Sequence, residues 1–565
     1  MMAAQEMKDK LVDTDVLVVG GGIAGCPTAY KAAEKGLRVT LIEKSKTERS
    51  GHAGAGIDTL LGWPLLDVPL PKQVKNWEGR VEWINGKGRF CDANIPYTIY
   101  KGAYWALEEA EKMGLDMTWH NGQIHWNRNR FWEDQERQMC VHWMDVKPQM
   151  ARAVHKKGVE VLDRVMLVDL LTNKGRVVGA TAVNTRTGQF LVIKAKAVVV
   201  ASGPLARSYD PEQPLFYKYK MKYHGAPGAI AGDGLAAGYR AGAELANMDV
   251  GNCWGFRLRD EITVPYGQMV HRDGISGRWR TWDGMMIPFL TAPLYTKLER
   301  MGRDPIYVDT IHFPEDYQAR CEVALADERL VSLMACAQRG FDPHTHRWEL
   351  MVNMPHNFTT ICGLVIDETF QTTLKGLFAV GDAASGLASC GPGIQSAFLC
   401  ADGLPAAVSE ASEPVLDEGQ VESQKKSAFA PLAVKDGTEP MEFECAVRWI
   451  NSRYVGEFKS EGKIREGLKR LDSLKRRFLP ELMATNPHYL MRCLEARNLL
   501  ELTELHLRGC LERKESRGNY MRTDYPETDP ARDDMVTYQS VSNGQPVLDI
   551  RRPPALKPEY AEEAN

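Results

Sequence analysis

Residues 15–44, DVLVVGGGIAGCPTAYKAAEKGLRVTLIEK, constrain the fold most strongly. An apolar run, a glycine cluster, a helical pattern and a second apolar run follow one another, which is the order of a β-α-β unit. Gly20, Gly22 and Gly25 give the spacing G-x-G-x-x-G, where missing side chains let the backbone approach a pyrophosphate at the positive end of a helix. Glu43 ends the second apolar run, where a carboxylate accepts hydrogen bonds from ribose hydroxyls. The stretch predicts a dinucleotide site and leaves NAD and FAD both open.

Composition excludes several classes of protein. The 565 residues are 44% hydrophobic and 25% charged with a net charge of -4, so no basic field attracts nucleic acid. The first residues, MMAAQEMKDKLVDTD, contain no apolar targeting segment, and no run approaches the roughly 18 apolar residues of a membrane span. The 12 cysteines never fall at C-x-x-C spacing, so we expect no metal or iron–sulfur ligand set. A cytoplasmic protein without a direct membrane span is expected.

Two later segments favour FAD over a nicotinamide nucleotide. KAVVVASGP ends a strand in a turn at Ser202 and Gly203, and TTLKGLFAVGDAASG ends another at Gly381 and Asp382. In FAD proteins of the glutathione reductase type, such late returns bring the chain back to the cofactor, whereas a nicotinamide dehydrogenase does not need them. Asp382 is then positioned to bond a ribityl hydroxyl, with a helix N-cap as the alternative interpretation.

A glycine-rich turn and a helix follow in SCGPGIQSAF. Pro392 and Gly393 end the turn, and the free N–H groups of the next helix point at whatever lies before them. In FAD proteins of this type that position is the N1 and O2 edge of the flavin, where the helix dipole favours negative charge.

The remaining sequence changes character along its length. The segment 160–203 is strand-rich, 405–440 is small, polar and acidic like a surface connector, and 441–512 has apolar residues at helical spacing. The predicted fold class is α/β, with an FAD-binding Rossmann-type (glutathione-reductase-like) domain, an inserted α+β capping domain and a C-terminal helical domain. The predicted bounds are 1–244 and 356–430 for the FAD-binding domain, 245–355 for the capping domain, 441–525 for the helical domain and 526–565 for an extended tail.

Three segments resemble the flavoprotein subunit of the fumarate reductase/succinate dehydrogenase superfamily: the first β-α-β unit with ERSGHAGAGID after it, GLFAVGDAASG, and LERKESRGNYMRTDYPETD. The last is similar to the family pattern E-S-R-G-x-x-x-R-x-D-Y-P. Within the superfamily, EKSKTERSG, TTLKGLFAVGD, GLKRLDSL and YMRTDYPE resemble the alpha subunit of adenylylsulfate reductase. The resemblance implies an FAD-dependent oxidoreductase that exchanges electrons between a small anionic substrate and a ferredoxin-like iron–sulfur subunit. No second G-x-G-x-x-G suggests an NAD(P)H domain.

Departures from the family patterns bear on the substrate. Dicarboxylate enzymes have an arginine where Gly391 stands, and their H-P-T-G motif is replaced by NMDVGNCWGF, which argues against fumarate or succinate. Adenylylsulfate reductases have an asparagine in a run similar to A-I-N-T, where this chain has Asp58, whose carboxylate would repel a sulfate group. Two alternatives stay open: an adenylylsulfate reductase flavoprotein that forms AMP and sulfite, and a non-catalytic electron-transfer flavoprotein of a redox complex.

The resemblance also suggests how FAD is held. Dicarboxylate members attach FAD to a histidine that directly follows Arg-Ser, but here Gly51 separates Ser50 from His52, so non-covalent FAD is expected with His52 lining the flavin face. The predicted cofactor-binding residues are Gly20, Gly22, Gly25, Glu43, Lys44, Ser50, Gly51, His52, Ser202, Gly203, Asp233, Gly381, Asp382, Gln395 and Ser396.

Four residues are candidates for substrate chemistry, which needs a proton donor near the flavin and cations for the substrate. His356 in NMPHNFTTICG resembles the position of the family's substrate-contacting histidine, with a core or capping role as the alternative. His142 in MCVHWMDVKPQ falls where adenylylsulfate reductases have a similar I-H-G-E-S-Y-K-P run, and either contacts flavin or packs a helix start. Arg272 and Arg278 in HRDGISGRWR either clamp the substrate or lie solvated on the surface.

Overall fold

The computed structural model describes most of the chain. The described residues are 8–74, 91–118, 122–128, 137–143, 145–209, 229–250, 255–258, 279–287, 292–308, 347–353, 361–387, 390–456, 458–517, 520–542 and 544–562, with isolated positions between 334 and 345. Strands and helices alternate through the first part of this range, as expected for an α/β protein.

The described strands are β1 (Lys10–Val19), β2 (Val39–Glu43), β3 (Ile57–Trp63), β4 (His125–Arg128), β5 (Arg137–Trp143), β6 (Glu160–Asp163), β7 (Val165–Asn173), β8 (Arg176–Asn184), β9 (Phe190–Val200), β10 (Leu245–Ala246), β11 (Gly255–Leu258), β12 (Trp279–Thr281), β13 (Met286–Ile287), β14 (Ile306–Val308), β15 (Trp348–Asn353), β16 (Gly363–Leu364), β17 (Leu377–Ala379), β18 (Phe458–Lys459), β19 (Met521–Arg522), β20 (Val536–Ser542) and β21 (Gln545–Arg551). The described α-helices are α1 (Gly25–Glu34), α2 (Asn94–Lys112), α3 (Val146–Lys156), α4 (Asp233–Ala241), α5 (Ala292–Arg300), α6 (Cys390–Ser409), α7 (Glu418–Phe429), α8 (Pro440–Val455), α9 (Glu461–Arg477), α10 (Pro487–Glu512) and α11 (Pro558–Glu562).

A seven-stranded sheet forms the centre of the fold. Its order is β6-β2-β1-β9-β8-β7, and β17 also pairs with β9. The pairs β1–β2, β1–β9, β2–β6 and β9–β17 are parallel. Val19 is in register with Ile42 and with Val200, which is in register with Ala379. The carboxyl ends of these four strands therefore meet at one edge, where ligands bind in open α/β sheets.

Smaller sheets lie outside the central one. β3, β5 and β4 form an antiparallel sheet, and β11-β15-β14-β12-β13 form a second one built from residues 255–353. The strand-rich segment predicted at 160–203 is confirmed by β6 to β9. The mixed α/β fold predicted from the sequence matches the structure, while the predicted domain bounds stay predictions.

Three helices, α8, α9 and α10, account for the helical spacing predicted after residue 440. Helix α10 begins with Pro487, and the side chain of Asn486 accepts a hydrogen bond from the N–H of Tyr489 as its N-cap. Within the described ranges, no helix combines the length and apolar composition needed to cross a bilayer.

The E-S-R-G segment is a buried ion-pair cluster. Glu515 is inaccessible to solvent and accepts hydrogen bonds from Arg513 at 2.8 Å and from Arg517 at 2.8 Å. Arg513 also donates to Asp249 at 2.5 Å, which lies before the β11 sheet in the chain. Because buried charges are tolerated when they are paired, each member of this cluster needs the others. The cluster ties the end of α10 to the residues that follow β10.

A second buried cluster joins the FAD-binding part to the C-terminal helices. Glu495 of α10, which is 1% exposed, accepts hydrogen bonds from Lys44 at 2.6 Å, Arg207 at 2.8 Å and Arg492 at 2.6 Å. Burial opposes ionisation of Glu495, but these three cations hold its pKa at about 2. Lys44 directly follows β2, so this cluster connects the central sheet to α10.

The segment 405–440 differs from the expected connector because it contains α7. Asp417 caps this helix by accepting hydrogen bonds from the N–H groups of Gly419 and Gln420. Gln420 accepts from the backbone N–H of Thr172 in β7, and Gln424 donates to the carbonyl of Leu170 in the same strand. These polar side chains form hydrogen bonds with backbone groups at the edge of the sheet, which would otherwise be unpaired. The same bonds hold this hydrophilic segment in place.

The last residues also have regular structure. β20 and β21 form a hairpin, and β20 pairs with β10. Beyond the hairpin, Tyr560 of α11 stacks on Tyr97 of α2 with 4.2 Å between ring centroids, and its hydroxyl donates to Glu368. The segment predicted as an extended tail is thus attached to both α2 and the residues before β17.

Replacing Glu495 with glutamine should strongly destabilise the protein. The neutral glutamine side chain leaves the buried charges of Lys44 and Arg207 without one of their carboxylate partners. Removing one partner of a buried ion pair lowers the free energy of unfolding by about 3–5 kcal/mol. The urea midpoint is expected to fall markedly. The matched control, Glu466→Gln, removes an exposed partner of Arg470 in α9 and should change the midpoint little. Equal midpoints for the two variants would contradict the role assigned to the cluster.

His506 should make stability depend on pH. Burial lowers its pKa to about 4, while its Nδ1–H donates to the carbonyl of Met248 at 2.7 Å. The folded state therefore holds the neutral ring, and stability is fully present above pH 6.5 and falls as pH drops toward 4, by up to about 3 kcal/mol. Urea midpoints between pH 7 and pH 5 should decline in wild type and in the exposed-site control His488→Gln, but not in His506→Gln. Parallel slopes in all three proteins would contradict this assignment.

Candidate dinucleotide site

The glycine turn at the end of β1 brings the first helix close to the sheet. Gly20 has φ of +103°, and a Cβ there would lie 2.6 Å from the carbonyl oxygen of Ala201. A Cβ on Gly25 would lie 1.8 Å from the carbonyl oxygen of Gly20. Both contacts are shorter than any real Cβ contact, so only glycine lets α1 begin at this distance from β1 and β9.

Both backbone polar groups of Gly21, its N–H and its carbonyl, are fixed by hydrogen bonds. Its N–H donates to Oε2 of Glu43 at 2.8 Å. Its carbonyl accepts from the hydroxyl of Ser50 at 2.8 Å, from the thiol of Cys26 at 3.2 Å and from Nζ of Lys147. The turn is therefore held rigidly between β2, the residues after it and α3.

Two further glycine turns and the first turn of α6 converge on the turn after β1. Helix α6 begins at Cys390, so Pro392 and Gly393, which were predicted to end a turn before the helix, belong to the helix itself. Cα of Gly22 lies 3.1 Å from where a Cβ on Gly51 would stand. A Cβ on Gly381 would lie 2.8 Å from Cβ of Ala24, and one on Gly393 would lie 3.8 Å from Cγ2 of Ile23. The turns after β1, β2 and β17 and the start of α6 thus meet in one place, although they are up to about 370 residues apart in the sequence.

Side chains of α6 connect these turns. The hydroxyl of Ser396 accepts from the N–H of Gly381 at 3.1 Å and donates to the carbonyl of Gly393 at 3.1 Å. The amide of Gln395 donates to the carbonyl of Gly62 at 3.1 Å, so α6 also contacts the end of β3. Ser396 and Gln395, two predicted cofactor-binding residues, therefore position the N-terminus of α6 in the described structure.

His52 follows Gly51, Asp382 follows Gly381, and the two side chains lie close to each other. Nδ1 of His52 is 3.7 Å from Oδ2 of Asp382, and about a quarter of each side chain is exposed. The imidazole therefore has a carboxylate beside it and remains accessible to a ligand that binds at the N-termini of α1 and α6.

The residues fit a bound dinucleotide. A Cβ on Gly22 or Gly393 would meet nothing closer than 3.8 Å, so room remains at both helix N-termini, where the N–H groups attract a diphosphate. Oγ of Ser202 and Oε1 of Gln395 are buried without a hydrogen-bond partner among the described residues. Buried polar atoms of this kind need a partner, and a ligand in the cleft can supply it.

Lys44 and Asp233 bond to each other rather than lying free. Nζ of Lys44 donates to Oδ2 of Asp233 at 2.6 Å and to Glu495, and Oδ1 of Asp233 accepts from Asn498 at 3.0 Å. Both side chains belong to the cluster around Glu495. Their predicted contact with the cofactor stays a prediction.

The candidates for substrate chemistry lie mostly beyond the described structure. His356, Arg272 and Arg278 fall outside the described residues. His142 is on β5, which pairs with β3, and Asp58 is on β3, but the structure does not describe either side chain. The backbone of β3 reaches α6 at Gly62, where a Cβ would lie 2.7 Å from Cδ of Pro392. All four catalytic assignments stay predictions.

Lys147 was not predicted from the sequence. This residue is inaccessible to solvent and binds the Gly21 carbonyl from the first turn of α3. The signal was present in MCVHWMDVKPQ, because the Lys-Pro pair there matches the end of the family run that drew attention to His142. A lysine at the start of an amphipathic helix is ordinarily expected in solvent.

The glycines at the carboxyl ends of the parallel strands form a cleft with the N-terminus of α1 on one side and that of α6 on the other. This arrangement defines an FAD-binding oxidoreductase of the glutathione-reductase-like fold. Comparison with known families agrees with this class. The family described as FAD binding domain matches residues 15–254, and the family described as fumarate reductase flavoprotein C-term matches residues 446–553. The chain therefore contains an FAD-binding domain and, after it, the C-terminal domain that is described for the fumarate reductase flavoprotein.

Similar proteins span almost the whole chain. A fumarate reductase (CoM/CoB) subunit of Methanothermobacter marburgensis is 24% identical over 558 residues, which cover 93% of this chain and 96% of that protein. L-aspartate oxidase of Yersinia pestis is 25% identical over 572 residues, covering 91% and 96%. Among solved structures, adenylylsulfate reductase of Archaeoglobus fulgidus has a TM-score of 0.83 at 22% identity, covering 99% of this chain and 98% of that one. Quinol fumarate reductase of E. coli has a TM-score of 0.77 at 17% identity, covering 97% and 98%.

Replacing Gly25 with alanine should abolish FAD binding. The new Cβ would overlap the Gly20 carbonyl, so α1 must move away from the turn that holds the diphosphate. Flavin absorbance of the purified variant is the measurement. Gly403→Ala is the matched control, because a Cβ there meets nothing within 4 Å and the residue lies in α6. Full FAD content in Gly25→Ala would contradict this geometry.

Proposed function

We propose that the chain is the FAD-bearing catalytic subunit of a reductase that exchanges electrons between an iron–sulfur partner protein and a small anionic substrate. The convergence of three glycine turns with the glycine-containing first turn of α6 is the observation on which this proposal rests, because it fits one FAD. The sequence offers one G-x-G-x-x-G motif, so electrons are expected from another protein rather than from NAD(P)H.

The similar proteins support a small anionic substrate. Their names place fumarate and aspartate among the molecules on which they act, and adenylylsulfate reductase has the same fold. Each of these substrates is an anion. The departures at Gly391 and Asp58 distinguish this chain from both the dicarboxylate and the adenylylsulfate enzymes, so we propose a different anion of the same class.

The described residues suggest how the cofactor is held. FAD supplies two-electron chemistry when it is bound. The turn at Gly20 and the N-terminus of α1 face the diphosphate, and Glu43 lies beneath the turn at the end of β2, where it is positioned for the ribose. The N-terminus of α6 aims its free N–H groups at the flavin edge. We propose that FAD binds non-covalently, because Gly51 separates Ser50 from His52.

We assign substrate chemistry to the residues around the flavin face. His356 is proposed as the proton donor, with Arg272 and Arg278 as the cations that hold the anion, since bidentate arginine bonds suit carboxylate and phosphate groups. His142 is proposed to line the same face because β5 pairs with β3, which contacts α6.

Adenylylsulfate reduction is the second candidate, and the full-length likeness of fold favours it. The carboxylate of Asp58 opposes it, because a negative charge near the flavin repels a sulfate group. If Asp58 is the determinant, a neutral residue should restore the activity.

The test is anaerobic reoxidation of the chemically reduced flavoprotein. Adenylylsulfate, fumarate, iminoaspartate precursors such as oxaloacetate with ammonium, and a panel of enoates and enoyl thioesters are added separately, and flavin absorbance is followed. We expect reoxidation by an unsaturated acid or thioester and not by adenylylsulfate. Reoxidation by adenylylsulfate would replace the first proposal with the second, and reoxidation by no substrate would favour the electron-transfer flavoprotein.

Asp58→Asn tests the assigned charge directly. Removing the carboxylate should raise the rate of reoxidation by adenylylsulfate by about tenfold or more, the effect expected of one charge near the substrate. Asp402→Asn, a charge change on the far part of α6, is the control and should leave the rate unchanged. An equally low rate in Asp58→Asn and wild type would show that this carboxylate does not exclude the sulfate.

A further inference from the structure

Lys147 is buried, and among the described residues it has no carboxylate partner. The residue is inaccessible to solvent, Nζ donates to the Gly21 carbonyl, and the Cys26 sulfur lies 3.3 Å away. Within the part of the chain that the structure describes, no carboxylate oxygen lies within the 4.0 Å of an ion pair with this ammonium. A buried ammonium that is paired only with neutral groups leaves a large desolvation cost uncompensated.

The neighbouring acids are bonded elsewhere. Glu43 accepts from the N–H groups of Gly21 and Ser45, and Asp163 accepts from the N–H of Thr47 at 2.9 Å and from its hydroxyl at 2.7 Å. Lys44, by contrast, has two carboxylates at 2.6 Å. The two buried lysines of this region therefore differ: one is neutralised by the protein and the other is not.

The thiol does not neutralise Lys147 either. Burial raises the pKa of Cys26, although the lysine beside it acts in the opposite direction. Cys26 thus stays a neutral thiol whose proton is donated to the Gly21 carbonyl at 3.2 Å. Among the described residues, Nζ of Lys147 therefore contacts only neutral groups, the Gly21 carbonyl and the Cys26 thiol.

We propose that Lys147 is a positioning residue for FAD, and that the diphosphate of the cofactor is its counter-charge. The ammonium holds the Gly21 carbonyl, so the N–H groups at the start of α1 stay directed at the diphosphate, and its charge adds to the attraction across the buried turn. The proposal concerns cofactor affinity and does not depend on which substrate the enzyme reduces.

Two variants of the full chain separate charge from hydrogen bonding. Lys147→Gln keeps a donor for the Gly21 carbonyl and removes the charge, and Lys147→Met removes both. Lys156→Met, on the exposed part of α3, removes the same charge from the surface as a control. The apoprotein is titrated with FAD, ADP and adenosine at several salt concentrations, and circular dichroism verifies that each variant is folded.

Lys147→Gln is expected to weaken FAD and ADP binding by about 10- to 100-fold, as for loss of a charged partner, and to leave adenosine binding unchanged. Salt should change the size of this loss little, because a buried charge is screened much less than an exposed one. Lys156→Met should match wild type. Lys147→Met should lose at least as much affinity as the glutamine variant.

Unchanged FAD and ADP affinity in folded Lys147→Gln would overturn the proposal. Equal loss for ADP and adenosine would also overturn it, since a general distortion of the turn, and not the missing charge, would then explain the result. If Lys147→Met does not fold, the comparison of Lys147→Gln with wild type and Lys156→Met still decides the question.

Discussion

The ion-pair cluster around Glu495 joins the FAD-binding part of the chain to the C-terminal helices. The carboxylate of Glu495 is 1% exposed and accepts hydrogen bonds from three cations, which come from three parts of the sequence. One of them, Lys44, is 451 positions away from Glu495. Because each buried charge is tolerated only with its partners in place, the end of β2 and α10 adopt one relative arrangement. The glycine turns that build the dinucleotide cleft depend on this arrangement, since Lys44 directly follows Glu43.

The cleft itself follows from close backbone approach. At Gly20, Gly25 and Gly381 the neighbouring atoms leave no room for a side chain, whereas at Gly22 and Gly393 the space is open. Glycine thus has two roles in one site: it lets the elements pack, and it leaves a volume for the diphosphate. The aligned carboxyl ends of β1, β2, β9 and β17 put all these turns on one side of the sheet.

Local patterns predicted the parts of the fold that depend on neighbours in sequence. The first β-α-β unit and the C-terminal helices were predicted from apolar periodicity and glycine spacing, and the superfamily from three short segments. Helix α7 was missed because its order comes from Gln420 and Gln424 bonding to β7, a contact that hydropathy does not encode. Lys147 was missed for the same reason, since its partner Gly21 is 126 residues away. Lys44 and Asp233 were predicted to contact the cofactor. In the structure they bond to each other and to Glu495 and Asn498 of α10, partners that the local sequence does not indicate.

We propose that this chain binds one FAD and receives its electrons from another protein. The most direct measurement is anaerobic stopped-flow mixing of the FAD-loaded chain with NADH, with NADPH and with a reduced ferredoxin, while flavin absorbance is recorded. We expect rapid loss of flavin absorbance with the reduced iron–sulfur protein and none with either nicotinamide nucleotide. Rapid reduction by NADH or NADPH with this chain alone would contradict it.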